Sequence, residues 1–251
     1  MQEKSALERA MAMVVDLRAR CAWDRVQTRE TLRPYLIEEV HELDSAIGER
    51  DPDAIRREVG DFLLHLAWQL VLAEELGEFT AEQVGADVET KMKRRHPHLF
   101  DLGPKEPWEL LKKREGSRGV LKGLPASLPD LLLAYRLGER AAAIGFDWPD
   151  TRGPIDKVRE ELAEVEEALS AGDPAALDHE LGDLLFSVVN LARKAGVVPG
   201  PALDRANTRF RSRFEGVEEL AEARGLDPST AGLAALDELW NEAKRRERGG
   251  K

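Results

Sequence analysis

Acidic residues recur in this chain at a fixed offset. Glu39, Glu42, Glu58 and Asp61 return as Glu161, Glu164, Glu180 and Asp183, each displaced by 122 residues. With Glu38 and Glu160 in front, each half reads E-E-x-x-E, fifteen residues, then E-x-x-D. Residues three apart on a helix share a face, so each half presents two acidic pairs. Carboxylates brought together repel one another, and hard divalent cations relieve that repulsion. The pattern therefore predicts a site for a hard divalent ion, Mg²⁺ or Mn²⁺, in each half. Its ligands are Glu39, Glu42, Glu58 and Asp61 in the first half and Glu161, Glu164, Glu180 and Asp183 in the second. One E-x-x-E is ordinary on a solvated helix face. Two copies in register, each with a proline cap at Pro52 or Pro174, carry the inference. Duplication can preserve a structural pattern, so the repeat does not by itself assign work to both halves. A di-iron bundle would need paired E-x-x-H motifs. Glu38 and His41 supply one, but Glu160 and Ala163 stand at the matching places, which argues against it.

Basic residues follow each acidic pair. Lys91 and Arg95 lie four apart in "TKMKRRHP", and Arg209 and Arg213 lie four apart in "TRFRSRF". Such pairs can clamp phosphate oxygens that a metal does not reach, or serve as last-turn cations and salt-bridge partners. Trp240 and Lys244 share a helix face near the end, so an aromatic plane and a cation could hold a base and a phosphate, or Trp240 could be core. Trp23 and Asp24, and Asp147 and Trp148, sit in loops before the acidic helices. There the indole can stack on a base while the acid accepts its hydrogen bonds, or the pair can cap and anchor a helix. His96-Pro97-His98 reads as a helix stop rather than a metal pair.

These residues must be positioned by helices. The apolar period is near 3.6 throughout, and the fold class is all-α. Helices are expected at about 5–20, 31–49, 52–76, 80–95, 107–115, 129–144, 154–171, 174–195, 201–224 and 230–247. Asp51-Pro52 and Asp173-Pro174 each place an N-cap acid before a proline at the first helical position. Gly145, Gly172, Gly196 and Gly225 mark helix ends. The expected organisation is two tandem units of four-helix-bundle type. They span 1–100 and 129–251, joined by a Pro-, Gly- and base-rich linker at 101–128 with one short helix. The chain has 251 residues and a net charge of -11, which disfavours direct nucleic-acid or anionic-membrane binding. No apolar run is long enough to span a membrane. One cysteine, Cys21, and a charged N-terminus without a signal-peptide block lead to the expectation of a cytoplasmic protein.

Taken together, "CAWDRVQTRETLRPYLIEEVHEL", "EVGDFLL", "KMKRRHPHLF", "RAAAIGFDWPD", "KVREELAEVEEAL", "ELGDLLFSVVNLARK" and "ANTRFRSRF" resemble the blocks of the MazG family of nucleoside triphosphate pyrophosphohydrolases, in its order, over about residues 5–247. The resemblance implies Mg²⁺-dependent hydrolysis between the α and β phosphates, giving nucleoside monophosphate and pyrophosphate. It implies metal ligation by Glu161, Glu164, Glu180 and Asp183, with Glu160 or Glu161 acting on the attacking water. It implies nucleotide or phosphate contacts from Arg209, Arg213, Trp240 and Lys244, and a homodimer with paired four-helix units. Two departures stand out: arginine at 209 where the family favours lysine, and "CAWD" in place of Cys-Pro-Trp-Asp. Only the C-terminal acids are followed by the Trp240/Lys244 helix, so that half is expected to be the working site. A non-catalytic nucleotide- or protein-binding regulator is the alternative class.

Overall fold

The computed structural model describes residues 4–105 and 119–249. Every regular element among them is helical. The chain divides into two compact units, residues 1–106 and 107–251. The short helix expected at 107–115 lies outside the described residues.

The first unit begins with α1, Ala6–Arg20, opened by a capping box in which the Ser5 hydroxyl accepts from the Glu8 N–H and the Glu8 carboxylate accepts from the Ser5 N–H. A single helical turn, α2 (Ala22–Arg25), carries Trp23 and Asp24, which the sequence had suggested lay in a loop. Then come α3 (Arg29–Glu49), α4 (Pro52–Glu75) and α5 (Ala81–Arg95), followed by a 3₁₀ turn at Pro97–Leu99. Helix α3 starts two residues before the periodic pattern does because Thr28 caps it. Val14 of α1, Leu32 of α3 and Ala67, Trp68, Val71 and Leu72 of α4 form the core. Arg18 fastens the top of this unit. It donates bidentately to Glu75 at 2.7 Å on both oxygens and to the carbonyls of Asp24 and Gln27 at 3.0 and 3.1 Å. Its guanidinium also lies 5.4 Å from the Trp68 ring centroid.

The second unit contains α6 (Asp130–Ala142), α7 (Arg152–Ala171), α8 (Pro174–Lys194), α9 (Pro199–Ala223) and α10 (Leu233–Gly249). Helix α8 packs on α6 and α7, while α9 packs on α6 and α10. Pro199 sets the start of α9 with its fixed φ. Helix α10 starts at Leu233, later than expected, because Thr230 and Ala231 close a turn on the Asp227 carbonyl and Gly232 adopts a positive φ. Val217, Leu220 and Ala221 of α9 meet Leu239 and Ala243 of α10. Gly216 permits this approach, since a Cβ there would stand 3.3 Å from that of Ala243.

The acid-bearing helices of both units are joined by the same turn. In the first, Arg50 takes a left-handed φ of 60° and Asp51 accepts from the Asp53 N–H. In the second, Gly172 takes φ 67° and Asp173 accepts from the N–H groups of Ala175 and Ala176. Proline at the first helical position then starts the return helix, so α3 runs back along α4 and α7 along α8. No helix among the described residues is long and apolar enough to cross a membrane.

Candidate metal centre

The return turn folds the two halves of each acidic pattern together. One carboxylate oxygen from each of Glu39, Glu42 and Glu58 lies within 4.8 Å of the other two, and Glu161, Glu164 and Glu180 converge in the same way. The aspartates stand outside both tight groups. Asp61 is near enough for its charge to act on Glu39. Asp183 pairs instead with His179, one turn before it on α8, at 3.5 Å.

Burial divides neighbours in the sequence. Glu161 is 3% exposed, whereas Glu160 beside it points outward. In each cluster the innermost carboxylate keeps one buried oxygen without a hydrogen-bond partner, Oε2 of Glu39 and Oε2 of Glu161. An orphaned buried carboxylate oxygen is costly, and a cation is the partner that suits it. The donor set, three convergent carboxylates in each cluster, fits a hard divalent ion.

The electrostatics of the two clusters differ. Burial raises the Glu39 carboxyl above its ordinary value, and Asp61, Glu42, Glu58 and Glu38 add to the rise. Next to it lies His65, 7% exposed, with Nε2 4.0 Å from Glu39 Oε1. Burial holds this imidazole below its ordinary value, against the pull of Asp61. In the second unit Lys157 takes the corresponding role. Its Nζ is 2.6 Å from Glu161 Oε1 and 2.7 Å from Glu160 Oε1. The ammonium lowers Glu161, while a hydrogen bond shared with Glu161 and the nearby acids raises Glu164. Neither His65 nor Lys157 was singled out by the spacing argument. Both were readable: Lys157 is four residues before Glu161, and His65 is four after Asp61 on the same face.

The remaining candidates are placed as follows. Lys91 and Arg95 are half-buried on α5, which packs chiefly against the Pro97–Leu99 turn. Arg209 is exposed on α9. Arg213 donates to Glu247 at 2.8 Å and lies 5.7 Å from the Trp240 ring, which in turn meets Phe210 at 5.2 Å. Lys244 sits one turn beyond, half-buried. Arg213, Trp240 and Lys244 are thus carried by the α9–α10 hairpin. Trp23 is 52% exposed with its ring edge-on to Tyr35 at 6.2 Å, and Asp24 is 9% exposed. Asp147 is gripped by Arg193 at 2.5 Å and Lys194 at 2.9 Å, which lower its carboxyl to about 2. The Trp148 indole lies over Gly153, where a Cβ would come within 2.1 Å of it. The Asp147–Trp148 segment therefore fastens the entrance to α7.

The chain matches the model of the MazG nucleotide pyrophosphohydrolase domain twice, over residues 27–100 and 154–213. It belongs to the MazG family. The two matches coincide with the two acidic helix pairs, so the repeat read from the spacing is a repeat of the family's domain. The chain is 43% identical over 233 residues to the nucleoside triphosphate pyrophosphohydrolase/pyrophosphatase MazG of Thermotoga maritima, covering 89% of each chain. It is 39% identical over 241 residues to the nucleoside triphosphate pyrophosphohydrolase of Escherichia coli K12, covering 90% of this chain and 91% of that one. The Mycobacterium tuberculosis enzyme of the same name is 31% identical over 154 residues, covering 58% and 47%.

Proposed function

We propose that this MazG-family chain hydrolyses nucleoside triphosphates, NTP or dNTP, to nucleoside monophosphate and pyrophosphate with Mg²⁺, in nucleotide-pool housekeeping or regulation. The observation that carries the reading is the convergence of carboxylate oxygens from Glu161, Glu164 and Glu180, the first of them buried with one oxygen that has no partner, within a domain of this family. Glu161, Glu164, Glu180 and Asp183 would hold Mg²⁺, with Mn²⁺ as a substitute, and Glu39, Glu42, Glu58 and Asp61 would form the sister site. A bound ion neutralises phosphate charge and eases deprotonation of water.

The chain's own residues do the rest. Glu160 or Glu161 orients a water and takes its proton as the oxygen attacks the α-phosphorus. The bond from that phosphorus to the bridging oxygen breaks, and pyrophosphate leaves. Arg209, Arg213 and Lys244 offset the charge spread over the phosphate oxygens. Trp240 stacks on the base with Trp148 as a further base contact in the C-terminal unit, and Trp23, Lys91 and Arg95 serve the N-terminal site. The C-terminal half is the working one, because only it is followed by the Trp240/Lys244 helix.

A homodimer accounts for the apolar faces left open on the acid-bearing helices, including Leu162, Leu181, Leu185, Phe186 and Val188 in the second unit and Val59, Phe62 and Leu66 in the first. A reducing cytoplasm suits the single cysteine. The test is pyrophosphate release from a panel of NTPs and dNTPs with Mg²⁺, with and without chelator. Chelator-sensitive release with monophosphate as co-product is expected. A folded protein that released none would be a binding protein instead.

A further inference from the structure

The two clusters differ in the side chain set beside the buried glutamate. In the C-terminal unit Lys157 is held between Glu160 and Glu161, with its ammonium on an oxygen of the three-glutamate group. The position 122 residues earlier is Tyr35, whose ring leans on Trp23. The residue beside Glu39 is His65, and the matching residue in the second unit is Ser187. The N-terminal glutamates therefore meet an imidazole, and the C-terminal ones meet a lysine ammonium.

Resting on the metal reading above, we propose that Lys157 is an internal counter-cation that keeps the C-terminal cluster from taking up a divalent ion alone, whereas the N-terminal cluster takes one up without nucleotide. An ion entering between Glu161, Glu164 and Glu180 would stand beside the ammonium and share Glu161 with it. Two like charges at such distances oppose each other even through water. The burial of Glu161 keeps screening low on that side. A triphosphate adds enough negative charge to offset the ammonium, so ion and nucleotide enter the C-terminal site together. Among the described residues no lysine or arginine forms an ion pair with Glu39, Glu42 or Glu58, so the repulsion among these converging carboxylates is relieved by the ion itself. Glu161 is no mere member of a surface cluster. It is buried, and its second oxygen has no hydrogen-bond partner.

Mn²⁺ titration of the full chain without nucleotide, with free Mn²⁺ read by electron paramagnetic resonance, tests this. The wild-type chain should bind one tight ion, lost in Glu58→Gln. Lys157→Met should gain a second, its affinity rising on the order of tenfold. Lys157→Arg, which keeps the charge, should not. Lys157 is partly exposed, so its replacement is compatible with folding, and damage to the fold would lower affinity rather than raise it. Two results would overturn the inference while leaving the metal reading standing: equal filling of both clusters in the wild type, or no gain in Lys157→Met. No Mn²⁺ bound by any of these proteins would overturn both.

Discussion

The two acidic clusters are made from one pattern on one kind of helix hairpin, yet one rests against an ammonium and the other against an imidazole. The loops that lead into them are also fastened by opposite means. In the first unit Arg18 of α1 reaches over to the carbonyls of Asp24 and Gln27 and to Glu75. In the second, the loop supplies the acid, Asp147, and the cations come from Arg193 and Lys194 on α8. A duplicated unit thus keeps its ligand geometry, set by the hairpin, while the charges around that geometry drift apart. The geometry depends on helix periodicity and one turn, which few substitutions can replace. The surrounding charges depend on single side chains.

The largest effect that bears on this comparison is on turnover. Asp183→Ala should reduce pyrophosphate release on the order of a thousandfold with helicity unchanged by circular dichroism, and Asp61→Ala should leave most of it. The reverse result would move the chemistry to the N-terminal cluster. Next come the loop fastenings. Asp147→Asn should destabilise the second unit by about 2 kcal/mol at neutral pH, measured by urea unfolding. Its carboxyl is depressed in the folded state, to about 2 from 3.8. That contribution is therefore fully present above roughly pH 4 and is lost as the pH falls towards 2, and the two proteins' stabilities should converge there. Arg18→Met should cost the first unit about 2 kcal/mol, because it leaves the Asp24 and Gln27 carbonyls and Glu75 without their donor.

A smaller effect sharpens the comparison directly. Tyr35→Lys places an ammonium where the second unit has Lys157, and should weaken nucleotide-free Mn²⁺ binding at the N-terminal cluster on the order of tenfold. An unchanged affinity would mean that the lysine's position on the helix does not govern loading. The smallest concerns the turn. Arg50 holds the left-handed conformation that Gly172 holds in the other unit. Arg50→Gly should raise stability by about 0.5–1 kcal/mol, because glycine adopts that conformation without steric cost. A loss of stability would show that the arginine side chain contributes more than its backbone strain removes.

Much of this was legible before any coordinates. The constant offset of the acids, the Asp-Pro caps and the 3.6 period were enough for two helical hairpins with convergent carboxylates. Three things were not. Trp23 and Asp24 form a helical turn rather than a loop, because Arg18, distant in the pattern, draws their segment onto α1. Asp61 and Asp183 share a face with their glutamates yet fall outside the tight groups, since spacing sets direction but not reach. Glu160 and Glu161 are chemically identical in sequence, and only packing makes one the buried member.

Local chemistry alone determined what recurs: where helices begin and end, which acids share a face, and that the pattern occurs twice. Those features depend on residues within a turn or two of one another, so their physics is complete in the string. Tertiary structure decided which carboxylate is shut away from water, which oxygen is left without a partner, and whether an ammonium or an imidazole stands beside it. Burial and charge balance belong to groups brought together from different turns and helices, and their energies exist only once the chain has closed around them.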